Sequence, residues 1–205
     1  MSALRVPPGR VGRLWLRRRL EVSTLAADLL EQKLRALREE ERRLTLLLQR
    51  TGEEWTRSAT EADRWLLRAA VAGGDRSLRL ATVAASATVT VTWRVAMGVR
   101  YPAEASCVLP ARDSAVPGGA ALAEAEAAYQ TALQAAVRHA VAQGATQRIR
   151  REVDATRLRV RALNRNWIPR LRAALKRREL ELEELEHAEG VRRRMAAVDE
   201  KTSRW

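Results

Sequence analysis

A heptad pattern of apolar residues runs without a proline through residues 10–72, and it restricts the chain to few folds. One seam position is occupied by Leu20, Ala27, Leu34, Glu41, Leu48, Trp55, Ala62 and Ala69. The other is occupied by Leu16, Ser23, Leu30, Leu37, Leu44, Thr51, Ser58 and Trp65. A heptad repeat held this long specifies a left-handed coiled coil. Such a helix would be roughly 90 Å long, which is too long for a compact domain of this size.

A second helical segment, 120–205, carries a matching seam. Its apolar positions are Ile149, Val153, Thr156, Val160, Leu163 and Trp167, followed by Leu171, Leu175, Arg178, Leu182 and Leu185. The step from Trp167 to Leu171 is four residues where three are due, and Pro169 lies within it. Because a proline removes a backbone hydrogen bond and tends to bend a helix, we predict a change of register and a helix bend at Pro169.

The segment between the two helices has a different period. Gly73 and Gly74 predict the end of the first helix. From Val89 to Tyr101, β-branched and other apolar residues alternate with polar or small ones, which predicts a half-buried strand. Residues 77–84 are its expected partner strand, and a loop follows at 109–120. Because two strands cannot fold alone, this unit must pack on the helices or on another protein.

The predicted fold is therefore mainly α. It is a long antiparallel two-helix coiled coil, formed by residues 1–72 and 120–205, with a short β-hairpin insert at 73–119. Trp55, Trp65 and Trp167 fall on seam positions and are expected to pack in the core, whereas His139 is expected on a helix surface.

Composition and charge exclude several classes of function. The net charge of +13 and the pI of about 11.3 favour an acidic partner, such as nucleic acid, anionic lipid or an acidic protein surface. A single cysteine, Cys107, excludes an internal disulfide. No phosphate-binding loop, catalytic triad or metal-ligand cluster appears, and the acidic run at 179–189 is expected to be structural. We therefore predict no catalytic, cofactor-binding or metal-binding residues, and a protein that is not an enzyme.

The strongest charge feature is a basic band between Gln147 and Arg178, which holds twelve Lys and Arg residues against Glu152 and Asp154. Charge runs on helices are often only solvated faces, but few acidic residues neutralise this one. The predicted partner-contact residues are Arg157, Arg159, Arg161, Arg165 and Arg170.

Three stretches together resemble the D subunit of the V-type and A-type rotary ATPases. They are "EVDATRLRVRALNRNWIPRL" (152–171), "LEELEHAEGVRRRM" (182–195) and "MGVRYP" (97–102). They occur in the family's order and spacing across nearly the whole chain. The departures from the family pattern are Leu158 for an arginine, Arg161 for an asparagine, Asn164 for a glutamate, and His187 and Ala188 for Arg and Glu.

The resemblance implies a non-catalytic central shaft of a proton- or sodium-translocating rotary ATPase. Its implied partners are the catalytic and non-catalytic ring subunits, the small F subunit, and the funnel-shaped subunit that links to the membrane rotor. No cofactor and no direct nucleic-acid contact are implied. The implied location is cytoplasmic, on the inner face of the cell membrane as part of the complex. The resemblance also implies an exposed regulatory hairpin, although packing on the helices is equally consistent with the residues.

Two other functions remain open at this point. A basic helical hairpin that binds RNA or the ribosome would explain the positive charge equally well. A plain structural coiled coil, as a homodimer, is the other alternative.

Overall fold

The computed structural model describes residues 5–81, 86–110 and 119–202. The elements are α1 (Gly9–Ala81), β1 (Thr88–Ala96), β2 (Val99–Val108), α2 (Ala120–Ala162), a π-helix (Leu163–Trp167) and α3 (Ile168–Thr202). They fall into two compact units. The first, the terminal unit, comprises Met1–Lys33 and Thr156–Trp205, and the second, the hairpin unit, comprises Leu34–Ala155. The predicted fold class is confirmed: a long helix, a two-stranded antiparallel sheet and a second long helical segment follow one another.

Within each unit, α1 is antiparallel to the later helices. The partner's number falls as the α1 number rises, which is the signature of this pairing. In the terminal unit the contacts are Arg10–Glu186, Arg17–Glu179, Ser23–Trp167 and Glu31–Asn164. In the hairpin unit they are Glu41–Arg150, Leu44–Thr146, Thr51–His139 and Asp63–Tyr129. The predicted division of the chain at residues 72 and 120 stays a prediction. The two units do not test it, because each unit combines segments that are distant in sequence.

The heptad seam accounts for the buried face of α1. Fifteen of its sixteen positions are buried or half-buried, and the exception is Trp55, which is 42% exposed. Many of the buried seam side chains are small, including Ala27, Ala62 and Ala69. Small residues let paired helices approach closely, since interaxial distance depends on the side chains at the contact.

The predicted end of the first helix at Gly73 and Gly74 coincides with a kink inside α1, where two helical stretches meet. Gly74 has a positive φ in a non-helical conformation (φ 65°, ψ 175°), which glycine adopts readily. The chain then returns to helix as far as Ala81, and Leu78 packs against a cluster that contains Ala69 and Leu122. Burial of Leu78 explains why 77–81 is helical instead of the predicted partner strand; residues 82–84 of that prediction lie outside the described ranges.

The hairpin is made by splitting the predicted strand. β1 pairs antiparallel with β2 instead of with 77–84. Met97 (φ 49°) and Gly98 (φ 79°) form the connection. Two successive positive φ values are the geometry of a tight hairpin turn. The sequence Met-Gly lacks the Asn-Gly or Asp-Gly signature of such turns, so the turn was not predicted.

The hairpin packs on the helices through β2. Tyr101 is 1% exposed and belongs to a cluster with Leu37 and Ile149, against which Ala96 and Val99 also pack. In contrast, the alternating valines of β1 remain 36–64% exposed. The predicted half-buried strand is thus anchored mainly by its last residues, 99–101, which begin β2.

Two expectations about aromatic residues are wrong. Trp55 does not pack in the seam but stacks on His139, with ring centroids 5.3 Å apart. His139 is not a surface residue: it is half-buried, and its Nδ1 lies 3.3 Å from the Thr51 hydroxyl. The absence of a side chain at Gly52 makes room for the His139 ring, since a Cβ at this position would lie 3.2 Å from the ring. The imidazole therefore packs beside Thr51 and Gly52, with the Trp55 ring stacked on it.

Candidate functional site

The five predicted contact arginines lie in the terminal unit, and all have exposed side chains. Arg157, Arg159 and Arg161 end α2, Arg165 lies in the π-helix, and Arg170 lies in the first turns of α3. The same stretch buries Thr156 (0% exposed), Ile168 (5%) and Leu171 (0%) on its seam side. One face therefore pairs with α1 while the arginines point to solvent.

Helical spacing separates these arginines into two groups. Arg157, Arg161 and Arg165 follow one another at intervals of four residues, which places them on one face. Within the described ranges, none of these three forms a hydrogen bond or an ion pair. Arg159 and Arg170 fall on another face, and both have interactions. We call Arg157, Arg161 and Arg165 the arginine face.

A π-helix carries the predicted change of register. The Ile168 N–H donates to the Leu163 carbonyl, an i to i+5 bond that adds one residue to the turn. Pro169 follows directly, and its missing N–H could not have donated to the Arg165 carbonyl in an α-helix. The extra residue in the turn explains the four-residue step in the seam. The bend at Pro169 stays a prediction.

Two side chains of this π-helix, Trp167 and Asn164, form hydrogen bonds to α1. Trp167 Nε1 donates to the Ser23 hydroxyl at 3.1 Å, and that hydroxyl donates to the Arg19 carbonyl at 2.7 Å. The Arg19 guanidinium also lies 5.8 Å from the centre of the Trp167 ring, a cation–π arrangement. π-Helical turns often occur at functional sites, and this one is held in place beside the arginine face.

Asn164 forms the second of these hydrogen bonds. Its Nδ2 donates to Glu31 Oε1 at 2.8 Å. A glutamate at this position, as in the rotary ATPase pattern, would place a second carboxylate beside Glu31. The asparagine of this chain instead donates a hydrogen bond to that carboxylate.

The acidic run 179–189 neutralises basic residues within the terminal unit. Arg17 Nη2 lies 2.7 Å from Glu179 Oε1, and Arg10 Nη2 lies 3.0 Å from Glu186 Oε1. These pairs are largely exposed, so each contributes little to stability. In the described parts of the chain, no three His, Cys, Asp or Glu side chains are arranged to hold a metal ion.

A second charged cluster, not predicted from the sequence, lies in the hairpin unit. Arg43 donates to both carboxylate oxygens of Glu40, from Nη2 at 2.6 Å and from Nε at 3.0 Å. The Tyr101 hydroxyl donates to the same Glu40 at 2.5 Å. Arg43 holds the pKa of Glu40 below its usual value, although burial opposes the shift. Burial, followed by the bond to Glu40, raises the pKa of Tyr101.

The sequence offers only weak signals for this Glu40–Arg43–Tyr101 cluster. Glu40 and Arg43 are three residues apart on a helix, which is a common solvated pair. Tyr101 lies about sixty positions away along the chain, and only the folded hairpin brings it onto the helix.

Comparison with protein families agrees with this architecture. A family model for the ATP synthase D subunit matches residues 14–197. The chain belongs to this family. The matched range includes both strands, the whole π-helix and nearly all of the helical segments. No curated protein matches the chain. Family membership makes the protein a D subunit of a rotary ATPase, within an ATP synthase complex.

None of the helices in the described ranges is both long enough and apolar enough to cross a membrane.

Proposed function

We propose that this protein is the non-catalytic central shaft of a V/A-type rotary ATPase that translocates protons or sodium ions. In this role it transmits torque between the ring that hydrolyses or synthesises ATP and the rotor in the membrane. The observation that supports it most is the arginine face, on helices whose opposite side is buried in a continuous seam. Family membership favours this function over RNA binding.

The mechanism requires a stiff pair of helices and a surface that differs around its circumference. Leu16, Ile168 and Leu171 are almost fully buried in the terminal unit, and close packing resists deformation. As such a surface turns, each catalytic site meets a different face. Its conformational equilibrium then shifts by the difference in contact energy between the states.

Exposed arginines suit a moving contact better than deep apolar packing does. Long, solvated side chains give attraction that is broad in orientation and that steers complementary surfaces together. Among the described residues, Arg157, Arg161 and Arg165 form no hydrogen bond or ion pair that would have to break when they bind an acidic surface. Binding at these positions therefore breaks no existing ion pair and has a small rearrangement cost.

The proposed partners are the catalytic and non-catalytic ring subunits, the small F subunit, and the funnel-shaped subunit that links to the membrane rotor. The proposed location is cytoplasmic, at the inner face of the cell membrane, with membrane contact only through the complex.

Purification of the tagged full-length protein from its own cells tests the assembly. We expect the ATPase ring subunits to co-purify in defined stoichiometry, and the purified complex to hydrolyse ATP. A preparation that retains RNA and lacks ring subunits would contradict the shaft and support the alternative.

Charge reversal tests the arginine face within that complex. The variant Arg157→Glu/Arg161→Glu/Arg165→Glu should keep its helical content, because these side chains are exposed and unbonded. We expect the ratio of ions transported to ATP hydrolysed to fall several-fold, since like charges would face the acidic partner surface. The measurement is ATP-driven ion uptake into vesicles, divided by the ATPase rate.

The matched control is Arg35→Glu/Arg38→Glu/Arg50→Glu, which makes the same charge change at exposed arginines of the hairpin unit. It should retain at least most of the wild-type ratio. Equal losses in both variants would show that only net charge matters. An unchanged ratio in the arginine-face variant would remove this face from the mechanism.

A further inference from the structure

A cavity of about 430 Å³ lies within the hairpin unit, between the hairpin and the helix pair. Its lining residues are Arg43, Leu44, Leu47, Thr51, Arg94, Tyr101, Ala103, Glu104, Ala105, Arg138, Val141 and Ala142. This volume is within the range of about 300–1,000 Å³ that is typical of small-molecule sites.

Part of the cavity lining is cationic. Arg94 comes from β1 and Arg138 from α2, so arginines of two different elements line the same space. In the described part of the chain, neither has a hydrogen bond or an ion pair. Among the lining residues Glu104 is the one carboxylate, so positive charge is in excess.

Arg43, the third arginine of the lining, already has a carboxylate partner. Arg43 binds both oxygens of Glu40, which also accepts the Tyr101 hydroxyl. Arg94 lies close enough that its charge contributes to lowering the pKa of Glu40. Glu40 thus holds Arg43 and Tyr101, which both line the cavity, and Arg94 and Arg138 remain as the available donors.

Other lining residues, on the same helices as Arg43 and Arg138, are apolar. Leu44 and Ala142 are buried, Val141 is half-buried, and Leu47 is 37% exposed. Contact with an apolar ligand would remove their alkyl surface from water, which favours binding.

A β-bulge shapes the edge of the cavity. Thr92 pairs with Glu104 and Trp93 pairs with Pro102, so Ala103 is the additional residue. Bulges redirect neighbouring side chains and are frequent beside functional sites. Here the bulge lies next to Arg94, and Ala103 and Glu104 both line the cavity.

We propose that this cavity binds a small organic anion, with its acidic group on Arg94 and Arg138 and its apolar body on Leu44, Leu47 and Val141. An inorganic anion would leave the apolar lining residues in contact with water. A neutral apolar molecule would remove water from two guanidinium groups without giving them a hydrogen-bond partner. The bound ligand would join β1 to α2. This proposal does not depend on the shaft function.

Fluorescence titration of the full-length protein with 8-anilinonaphthalene-1-sulfonate, with decanoate as competitor, tests the site. Each single substitution, Arg94→Gln or Arg138→Gln, should weaken binding at least about tenfold, because each removes a charge-assisted hydrogen bond. The matched control is Arg151→Gln on the same helix as Arg138, at an exposed arginine outside the cavity. Its affinity should equal that of the wild type. Leu47→Trp fills the cavity without changing charge and should also weaken binding.

Inorganic phosphate provides the last comparison, and it should displace the dye at least about tenfold less effectively than decanoate does. Circular dichroism should show unchanged helical content in every variant. Three outcomes would overturn the proposal: no saturable binding to the wild type, wild-type affinity in the Arg94→Gln and Arg138→Gln variants, or equal displacement by phosphate and decanoate.

Discussion

The two units share the same antiparallel pairing of helices, with polar contacts from helix to helix in both, but they differ in what covers the pair. In the hairpin unit a third element covers the helices, and Glu40, Arg43 and Tyr101 form a bonded cluster beneath it. Among the described residues of the terminal unit no strand is present, and polar side chains such as Asn164 and Trp167 join one helix directly to the other. The comparison shows that the heptad seam supplies the pairing in both units, whereas its local reinforcement depends on what else packs nearby.

The difference is also visible in the buried side chains. The hairpin adds Tyr101, one of the largest fully buried side chains, to a cluster that includes Leu44 and Ile149. A large buried aromatic contributes far more apolar area than the alanines that fill much of the rest of the seam. We therefore expect the hairpin unit to be most sensitive at Tyr101.

Tyr101→Ala should give the largest effect. Removing this side chain leaves a cavity between the hairpin and the helices, and we expect a loss of about 3–5 kcal/mol in the free energy of unfolding. Tyr101→Phe is the matched control and should lose about 1 kcal/mol, because it removes only the hydrogen bond to Glu40. Urea denaturation followed by circular dichroism measures both. Equal losses in the two variants would show that the ring does not anchor the hairpin.

Asn164→Glu should give an intermediate effect in the terminal unit. It removes the bond to Glu31 and sets two carboxylates side by side, at a cost of about 1 kcal/mol in unfolding free energy. Thermal denaturation at low and high salt measures the loss, which should shrink as salt screens the repulsion. The double variant Asn164→Glu/Glu31→Lys should recover stability. If the double variant is no more stable than Asn164→Glu, the two side chains are not coupled.

Acid titration of Glu40 should give the smallest effect, and it concerns the hairpin unit alone. Hydrogen bonds from Arg43 lower the folded-state pKa of Glu40 below its ordinary value of 4.5. A depressed folded-state pKa means that stability is present above about pH 4.5 and is lost as pH falls through the lower folded-state value. Glu40→Gln should therefore flatten the decline of unfolding free energy below that pH, as measured by urea denaturation at several pH values. A decline of the same steepness in both proteins would show that Glu40 does not couple to folding.

The sequence predicted the site less completely than the fold. It predicted that Arg157, Arg161 and Arg165 lie near a change of register, because local spacing along one helix carries that information. It did not predict the contact of Asn164 with Glu31 or of Tyr101 with Glu40, because each joins residues far apart in the chain. Nor did it predict that His139 stacks on Trp55. A heptad pattern indicates which positions face the partner helix but not how individual side chains pack there.

By itself the sequence determined two long helices, their antiparallel pairing, the shift near Pro169 and membership in the family of ATP synthase D subunits. These follow from the periodicity of apolar residues and from the order of the motifs along the chain. Neither depends on how individual side chains pack. Only the tertiary structure decided that 77–81 is helix, that β1 pairs with β2, and that Arg94 and Arg138 converge on one cavity. Each of these depends on which distant surface is available to bury a side chain, and no local pattern records that choice.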